Sequence, residues 1–387
     1  MQRYEVAVIG AGLAGLWCAR DLSRRGVQVV LVDAKPSVEG FVRTTGIFVR
    51  RTFDDFAFPA GCLGDPIRRV VLHSPRGRRL VLESARDEFR LGDMRALQRA
   101  LLGECVRAGV EWRPRTRFCG LQLSGADATL SLQPEAAPRE RVVARFVIGA
   151  DGARSTVAAG LGLSRNRDFL IGIEDVYEGL APTRAPALHC VLDPSLAPGY
   201  LAWMVRDSTG AHVGVGGDAH RIRPAASLRR FTRSHGPLLG LDGARRVERR
   251  GGLIPVNGVL PRIACEHGLL VGDAAGAVSP LTAGGLDACV RLSAFAARLI
   301  ADALRHGTCR PLNAFDGSAF APRFVARRWM RAALRAADAD MLELVCRSLA
   351  LPGARALGES LFFGRGSFPD PTPCAPRPVR VAQRQAG

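Results

Sequence analysis

The chain opens with a pattern of apolar and polar positions that predicts a strand, a glycine-rich turn, a helix and a second strand. Residues 4–9 form an apolar run, as in parallel strands that are buried on both faces. Apolar positions recur at helical spacing over residues 13–24, Gly26 ends this helix, and residues 27–32 supply the next buried strand. We therefore predict a βαβ unit at the start of the chain.

The same kind of pattern returns later in the chain. Buried strands are predicted at residues 141–148 and 268–273, and helices at residues 94–108 and 286–304. These segments predict an α/β fold whose parallel sheet is built from both ends of the chain.

The segments between and after them differ in character. Residues 163–252 alternate short stretches with turns, which is typical of an antiparallel sheet. Residues 34–90 predict loops and short strands, and residues 311–349 predict basic helices. From Phe368 onward the proline-rich composition predicts a loosely held tail.

A G-x-G-x-x-G motif lies between the first strand and the first helix, at Gly10, Gly12 and Gly15. In such a motif the first glycine permits a tight turn, the second lets a pyrophosphate approach the backbone, and the third allows close helix–strand packing. The helix that begins at Leu13 and Ala14 presents free N–H groups and the positive end of its dipole to the phosphates. We predict a dinucleotide site here.

Asp33 ends the second strand of this unit. An acid at this distance from the glycines accepts hydrogen bonds from an adenosine ribose. Its carboxylate would repel a 2′-phosphate, so the site disfavours NADP. The motif alone does not distinguish FAD from NAD.

Two later motifs each place an aspartate beside glycines at the carboxyl end of a buried strand. Asp151 lies in residues 147–155, and Gly272 and Asp273 lie in residues 271–277. In an open α/β sheet the ligand crevice lies at such strand ends. These motifs resemble the D-G and G-D motifs of the flavoprotein group that includes aromatic hydroxylases, flavin halogenases and geranylgeranyl reductases. The resemblance implies FAD as the cofactor, with Asp273 at its ribityl chain and Asp151 and Gly272 in the same site.

A glycine-rich turn in residues 279–287 enters the long predicted helix. Its backbone N–H groups would face the flavin pyrimidine and stabilise charge on the reduced ring. We expect Gly284, Gly285 and Leu286 to serve in this way, with Pro280 in the same cofactor site.

A stretch of the middle segment resembles the geranylgeranyl reductase family in particular. Tyr200 and Trp203 lie in a P-G-Y-x-x-W sequence that is followed by V-G-V-G at residues 213–216, and Thr44 opens a T-T-G-I stretch similar to the family's C-T-G-I. The resemblance implies that Tyr200, Trp203 and Thr44 lie at the substrate cleft beside the flavin. Ordinary sheet packing is the alternative for the two aromatic residues.

The chain departs from that family at two positions. Thr44 stands where the reductases carry a cysteine, so proton delivery by a thiol is not expected there. Met94 occupies the place of a family arginine, which leaves Arg95 and Gln98 as candidate substitutes at the cofactor. The halogenase sequence W-x-W-x-I-P is missing, which argues against halogenation.

Composition excludes several classes of function. The net charge of +18 is carried almost entirely by arginine, Lys35 being the sole lysine, and the arginines are dispersed without alternating aromatics, so we expect no nucleic-acid partner. The ten cysteines and seven histidines lack metal-ligand spacing, so no metal site is expected, and His212 is expected on the solvent face of its strand.

The chain shows no sequence pattern of a membrane span. No apolar run reaches the ~20 residues of a membrane span, and residues 1–5 lack the start of a secretory signal, so we expect a cytoplasmic protein. The arginine-rich residues 320–338 leave a peripheral contact with an anionic membrane open as an alternative to a solvated helix face.

These inferences combine into one predicted organisation. A Rossmann-type FAD-binding domain is expected from residues 1–162 and 262–308, with residues 45–90 contributing to the substrate cleft. A mixed β-sheet substrate domain is expected at 163–261, and a helical region with a tail at 309–387.

We predict an FAD-dependent oxidoreductase that acts on a small hydrophobic or carrier-bound substrate. Two reactions stay open: reduction of an isoprenoid-like double bond, and hydroxylation of an aromatic substrate through a flavin hydroperoxide. A flavin-binding partner protein without turnover is the third alternative. Because there is no second dinucleotide fingerprint, the electrons are expected from NAD(P)H bound transiently over the flavin or from an external reductant.

Overall fold

The computed structural model describes residues 1–180, 186–207 and 210–363. Within these ranges the strands are β1 (Gln2–Ile9), β2 (Val29–Val32), β3 (Ile47–Val49), β4 (Leu63–Ile67), β5 (Arg69–His73), β6 (Arg79–Glu83), β7 (Phe89–Gly92), β8 (Glu111–Arg113), β9 (Thr116–Ser124), β10 (Asp127–Pro134), β11 (Glu140–Gly149), β12 (Phe169–Glu178), β13 (Ala187–Val191), β14 (Ala202–Arg206), β15 (Ala211–Asp218), β16 (Arg245–Pro255), β17 (Ala264–Cys265) and β18 (Gly268–Leu270). The α-helices in the same ranges are α1 (Leu13–Ser23), α2 (Arg50–Asp55), α3 (Met94–Arg107), α4 (Thr156–Gly160), α5 (Pro224–His235), α6 (Leu286–His306), α7 (Val325–Ala336), α8 (Ala339–Leu349) and α9 (Pro352–Phe363).

Five parallel strands in the order β18-β11-β1-β2-β8 form the centre of the first sheet. Val8 of β1 is paired with Leu31 of β2 on one side and with Ile148 of β11 on the other, and all three are fully buried. Such β-branched and aliphatic runs suit strands that are covered on both faces. The Rossmann-type fold predicted from the sequence is confirmed.

Helix α1 packs on β1 and β2 of this sheet, and α3 and α6 both pack against α1. Their bounds lie within two residues of those predicted from the sequence. Asp93 caps α3 by accepting hydrogen bonds from the amides of Arg95 and Ala96, and Gly307 ends α6 in the left-handed conformation. The long helices therefore begin and end where their capping residues allow.

The second sheet has the strand order β16-β12-β15-β14-β13-β5-β6. Its pairs are antiparallel apart from β13 and β5, which run parallel, so the sheet is mixed. Strands β5 and β6 come from the segment 45–90, where loops and short strands were predicted, and β3, β7 and β4 of that segment form a separate three-stranded sheet. The segment thus supplies part of the sheet that walls the site.

The C-terminal region contains the helices α7 and α8 inside the predicted helical range. Helix α9 lies beyond that range, and sequence reasoning missed it because Gly353 and Gly358 interrupt its pattern. Its last residues, Phe362 and Phe363, pack on the cluster around Ile67 between the second and third sheets. The proline-rich tail lies outside the described residues.

Throughout residues 1–180, 186–207 and 210–363, no helix combines the length and the apolar composition needed to cross a bilayer.

Candidate functional site

A cavity of about 1260 Å³ follows the carboxyl ends of the parallel strands and continues between the seven-stranded sheet and the C-terminal helices. Gly10 and Asp33 line one end of it, and Leu334 and Phe363 line the other. Pockets for a single small ligand usually occupy about 300–1,000 Å³. The cavity is therefore large enough for an extended dinucleotide together with a second molecule.

The glycine-rich turn after β1 shows why each glycine is present. A Cβ on Gly10, whose φ is +103°, would lie 2.3 Å from the carbonyl oxygen of Ala150, and one on Gly15 would lie 1.8 Å from that of Gly10. Gly12 differs, because a Cβ there would meet nothing within 4 Å. Gly10 and Gly15 are thus required for packing, whereas the bare backbone of Gly12 lies at open cavity.

The start of α1 completes this end of the cavity. Leu13 and Ala14 line it, and Gly15 does not. The first backbone hydrogen bond of the helix is donated by Leu16 to the carbonyl of Gly12, so the preceding amides have no partner inside the helix. Free amides at a helix N-terminus suit a pyrophosphate.

Asp33 follows β2 and is largely buried beside the same turn. Its Oδ2 accepts a hydrogen bond of 2.7 Å from the amide of Ala11, and its Oδ1 accepts one of 2.8 Å from the amide of Lys35. The ammonium group of Lys35 lies 3.5 Å from Oδ2. An ionised carboxylate accepts about four hydrogen bonds, so Asp33 keeps acceptor capacity for a ribose.

Asp151, at the end of β11, is occupied differently. Its Oδ1 accepts from Ser155 Oγ at 2.6 Å, and its Oδ2 accepts from the amides of Thr156 at 2.6 Å and Val157 at 3.1 Å. Asp151 lines the cavity, but these bonds commit its carboxylate to the start of α4. Asp151 therefore shapes the cavity wall by fixing the start of α4.

Asp273 differs from Asp151 in the hydrogen-bond partners of its carboxylate. It lies in a 3-10 turn that begins at Gly272, whose φ of +57° is left-handed, and both residues line the cavity. Within the described residues no group donates a hydrogen bond to its carboxylate, and loss of solvation among the surrounding protein atoms raises the pKa of Asp273 to about 6. The side chain of Asp273 is open to the cavity, so its oxygens can accept hydrogen bonds from hydroxyl groups such as those of a ribityl chain.

The turn before α6 borders the same region. Gly284, Gly285 and Leu286 line the cavity, whereas Pro280 is buried outside its lining. The turn is closed by the amide of Ser279 bonding to the carbonyl of Gly284 at 3.0 Å. The 21-residue helix α6 then presents its first amides, which lack intrahelical partners. Fixed donors of this kind suit an electron-rich ring.

Two aromatic residues lie flat on the seven-stranded sheet because two glycines leave room for them. A Cβ on Gly214 would lie 2.2 Å from the indole of Trp203, and one on Gly216 would lie 2.7 Å from the ring of Tyr200. These glycines are two residues apart on β15, so they share one face of the sheet. The V-G-V-G sequence thus has a packing reason, and Tyr200, Trp203 and Thr44 all line the cavity.

Tyr200 also ties the sheet to the turn before α6. Its hydroxyl donates a hydrogen bond of 2.6 Å to the carbonyl oxygen of Thr282, and burial raises the pKa of Tyr200. Trp203 is held by a residue of β12 instead, because its Nε1 donates a hydrogen bond of 3.0 Å to Glu174 Oε2.

Sequence reasoning missed Glu174, which lies in β12 and is buried. The signal was a pair of acidic residues, Glu174 and Asp175, directly after the apolar first half of a strand. His212 was expected on the solvent face, which is wrong: it shares the face of Gly214, and its Nδ1 lies 3.0 Å from Glu174 Oε1. The buried carboxylate provides the partner that draws this imidazole inward.

Arg95 is not part of the cavity wall. Its guanidinium pairs with Glu248 at 3.0 Å, whereas Met94 and Gln98 of the same helix do line the cavity. Helical geometry explains the difference, because residues 94 and 98 lie on one face of α3 and residue 95 lies on the next.

The far end of the cavity is apolar. The residues that line it come from β5, from β7, from β13 and the residue after it, and from the three C-terminal helices. They include Leu72, Phe89, Leu188, Leu192, Leu334, Leu342, Leu349, Leu361, Phe362 and Phe363. Such a lining favours a hydrocarbon chain.

The chain is similar in sequence to flavoproteins and reductases. A family model described as an FAD binding domain matches residues 3–176. A digeranylgeranylglycerophospholipid reductase from Methanothrix thermoacetophila is 27% identical over 325 residues, covering 79% of this chain and 79% of the relative.

Its fold is shared with two solved structures. A geranylgeranyl bacteriochlorophyll reductase-like protein from Thermoplasma acidophilum superposes with a TM-score of 0.80 at 18% identity, covering 95% of this chain and 98% of the other. A p-nitrophenol 4-monooxygenase from Pseudomonas putida gives a TM-score of 0.66 at 18% identity, covering 90% and 98%.

The dinucleotide-binding sheet, the match to an FAD binding domain and the similarity to reductases over most of the chain agree with one another. The chain is an FAD-dependent oxidoreductase that is similar over most of its length to geranylgeranyl reductases.

Proposed function

We propose that this oxidoreductase reduces carbon–carbon double bonds of an isoprenoid-like hydrophobic substrate, with bound reduced FAD supplying the hydride and water the proton. The observation that carries the proposal is the continuity of the cavity. It passes from the glycine turn at Gly284 and Gly285, past Trp203, into an end lined by aliphatic and aromatic side chains. A long hydrocarbon chain would gain roughly 0.8 kcal/mol for each methylene buried there.

The residues that would hold FAD follow from the geometry. Asp33 would bind the adenosine ribose, the backbone of Gly12 and the first amides of α1 would bind the pyrophosphate, and Asp273 would bind the ribityl hydroxyls. Gly285 and Leu286 would offer amides to the flavin pyrimidine. Asp151 would act indirectly, by shaping the wall.

We assign Tyr200, Trp203 and Thr44 to the place where the substrate would meet the flavin. Trp203 and Tyr200 would form a flat wall over the substrate, since both rings lie on the sheet face that lines the cavity. Thr44 carries a hydroxyl, which orients polar groups by hydrogen bonding but is a weak acid compared with a thiol. The electrons would come from NAD(P)H binding transiently at the cavity or from an external donor.

The substrate would enter from the C-terminal helices. Met330, Met341 and Val345 line the cavity and are also exposed at the surface, beside the largely exposed Trp329. Such a patch at a cavity mouth is typical of a binding surface. We propose a peripheral contact with a lipid surface here, through which a lipid-borne or carrier-bound substrate reaches the cavity.

The contact would be made by the exposed apolar residues of α7, and two of its four arginines are engaged within the protein instead. Arg331 is buried and donates to the carbonyl of Gly199 at 2.8 Å, and Arg335 pairs with Asp218 at 2.7 Å. Both arginines therefore hold the helix to the protein. Pelleting with phosphatidylcholine–phosphatidylglycerol vesicles tests the contact: Trp329→Ala should reduce binding while Leu238→Ala, at another exposed site, should not. Equal binding of both variants would contradict it.

The reaction is tested by reducing the flavin without oxygen and then adding geranylgeranyl diphosphate or a geranylgeranylated glycerophospholipid in detergent. We expect reoxidation of the flavin that depends on the substrate, with a product heavier by two hydrogens for each bond reduced. Leu334→Trp, which narrows the apolar end, should slow this step, while Leu344→Trp, at an exposed position outside the lining, should leave it unchanged.

Hydroxylation of an aromatic substrate is the second candidate. It is supported by Thr44, which supplies no thiol, and by the fold shared with a monooxygenase. Absence of anaerobic reoxidation, together with an oxygen-dependent product heavier by one oxygen atom, would favour this candidate over the reductase. A protein purified without flavin at any stage would contradict both.

A further inference from the structure

We propose that Glu174 is a positioning residue for the reaction, whose carboxylate holds the indole of Trp203 and the loop of Thr44 and Thr45 together as one wall of the cavity. The proposal rests on the proposed function only in assigning this wall to the substrate.

The two oxygens of Glu174 have different partners. Oε2 accepts hydrogen bonds from Thr45 Oγ1 and from Trp203 Nε1, the latter at 3.0 Å. Oε1 accepts from His212 Nδ1 at 3.0 Å and lies 3.8 Å from Arg250 Nη1. One buried carboxylate thus binds side chains from a loop and from three strands of the second sheet.

Strand register brings these groups into one row. Glu174 of β12 is paired with Arg250 of β16 on one side and with Gly214 of β15 on the other, and Gly214 is paired with Trp203 of β14. Because Gly214 has no side chain, the indole reaches across β15 to the carboxylate. Cys190 of β13 continues the row into the apolar end of the cavity.

Beyond Arg250 the row continues through ion pairs to the protein surface. Arg250 donates to the carbonyl oxygen of Thr44 at 3.0 Å and to Glu248 at 2.7 Å, and Glu248 in turn pairs with Arg95 at 3.0 Å. Arg95 therefore acts on the Thr44 loop through two intermediates. Removing Glu174 would leave Arg250 without its second neighbouring carboxylate and free the loop from its side-chain contact.

The carboxylate is ionised at neutral pH. Burial alone would raise the pKa of Glu174, but hydrogen bonds from His212, Thr45 and Trp203, with the charge of His212, outweigh burial and lower it. Arg250 and Glu248 are the other charged groups on this side. Asp175, next along β12, pairs instead with Arg249 at 2.7 Å, and it does not line the cavity.

Asp175 gives a matched control. Glu174→Gln and Asp175→Asn each remove one buried negative charge from the same strand, but only the first touches the wall. In the FAD-loaded enzyme we expect Glu174→Gln to lower the rate of substrate-dependent flavin reoxidation by about 10- to 100-fold, as for the loss of a charge-assisted hydrogen bond. The loss should fall on kcat more than on KM, and Glu174→Asp, which keeps the charge, should recover part of it.

Fluorescence gives a readout that is independent of the reaction. We expect the tryptophan emission that is lost in Trp203→Phe to shift in Glu174→Gln and not in Asp175→Asn. A rate within twofold of the unmodified enzyme, an equal loss in Asp175→Asn, or an unshifted emission would overturn the proposal. Should the reductase assay fail for the unmodified enzyme, the proposed function fails and the emission shift alone decides the role of Glu174. Where Glu174→Gln does not fold, Thr45→Val replaces it, because it removes one donor to the same oxygen, and an unaltered rate and emission there would overturn the proposal too.

Discussion

Substituting Gly214 with alanine would displace Trp203 from its place on the sheet. The new Cβ would lie 2.2 Å from Cζ2, 2.3 Å from Cε2 and 2.8 Å from Nε1 of the indole. The ring would have to move by about 1.2 Å to regain ordinary contact, and this movement would break its 3.0 Å hydrogen bond to Glu174.

Two costs add in this variant. Overpacking in a well-packed region costs about 1–3 kcal/mol, and a lost hydrogen bond to a charged group costs about 1.5–3 kcal/mol. We therefore expect Gly214→Ala to reduce the free energy of unfolding by about 3–5 kcal/mol. In a thermal melt of the FAD-loaded protein this corresponds to a fall in Tm of roughly 4–6 °C for a chain of 387 residues.

A double-mutant cycle isolates the cause. In a Trp203→Leu background the indole is gone, so Gly214→Ala should cost less than about 0.5 kcal/mol. Gly252→Ala is the matched control, because a Cβ on this strand glycine would come no closer than 3.8 Å to another residue, and we expect it to be close to neutral. An equal cost of Gly214→Ala with and without Trp203 would refute the reasoning.

Three further predictions concern the cofactor end and Glu174. Gly15→Ala should impair folding of the apoprotein, since its Cβ would overlap a carbonyl oxygen, whereas Gly12→Ala should fold normally and weaken FAD binding by about tenfold, as judged by flavin titration. The pKa of Asp273 is raised to about 6, so the stability that it contributes to the apoprotein is present below about pH 4 and is lost as the pH rises through 6. The difference in Tm between the unmodified protein and Asp273→Asn should change over the same pH range, and a difference that does not vary with pH would contradict this. The pKa of Glu174 is lowered, so the stability it contributes is present at neutral pH and is lost as the pH falls below its usual value near 4.5; the Tm gap between the unmodified protein and Glu174→Gln should narrow in acid.

The parallel sheet and its motifs could be predicted from the sequence because their signals are local. The glycines at 10, 12 and 15 and the aspartates at the strand ends lie in short segments whose periodicity is strong. What escaped prediction depends on contacts between distant segments. Glu174 and His212 are 38 residues apart, and only strand register makes them neighbours. The segment 45–90 likewise showed no strong period, because β5 and β6 are short strands at the edge of a sheet whose other strands come from far along the chain.

The hydrogen bond from Tyr200 to the Thr282 carbonyl has a consequence for how the molecule unfolds. Close to it, Arg331 of α7 binds the carbonyl of Gly199, so three segments far apart in sequence meet at adjacent residues. Pulling the seven-stranded sheet away from the turn before α6 would break both hydrogen bonds and expose the buried ring of Tyr200 to water, which is costly. The two sheets and α7 should therefore melt as one cooperative unit, and ligands that bind the turn should protect amide hydrogens in the distant sheet from exchange with solvent.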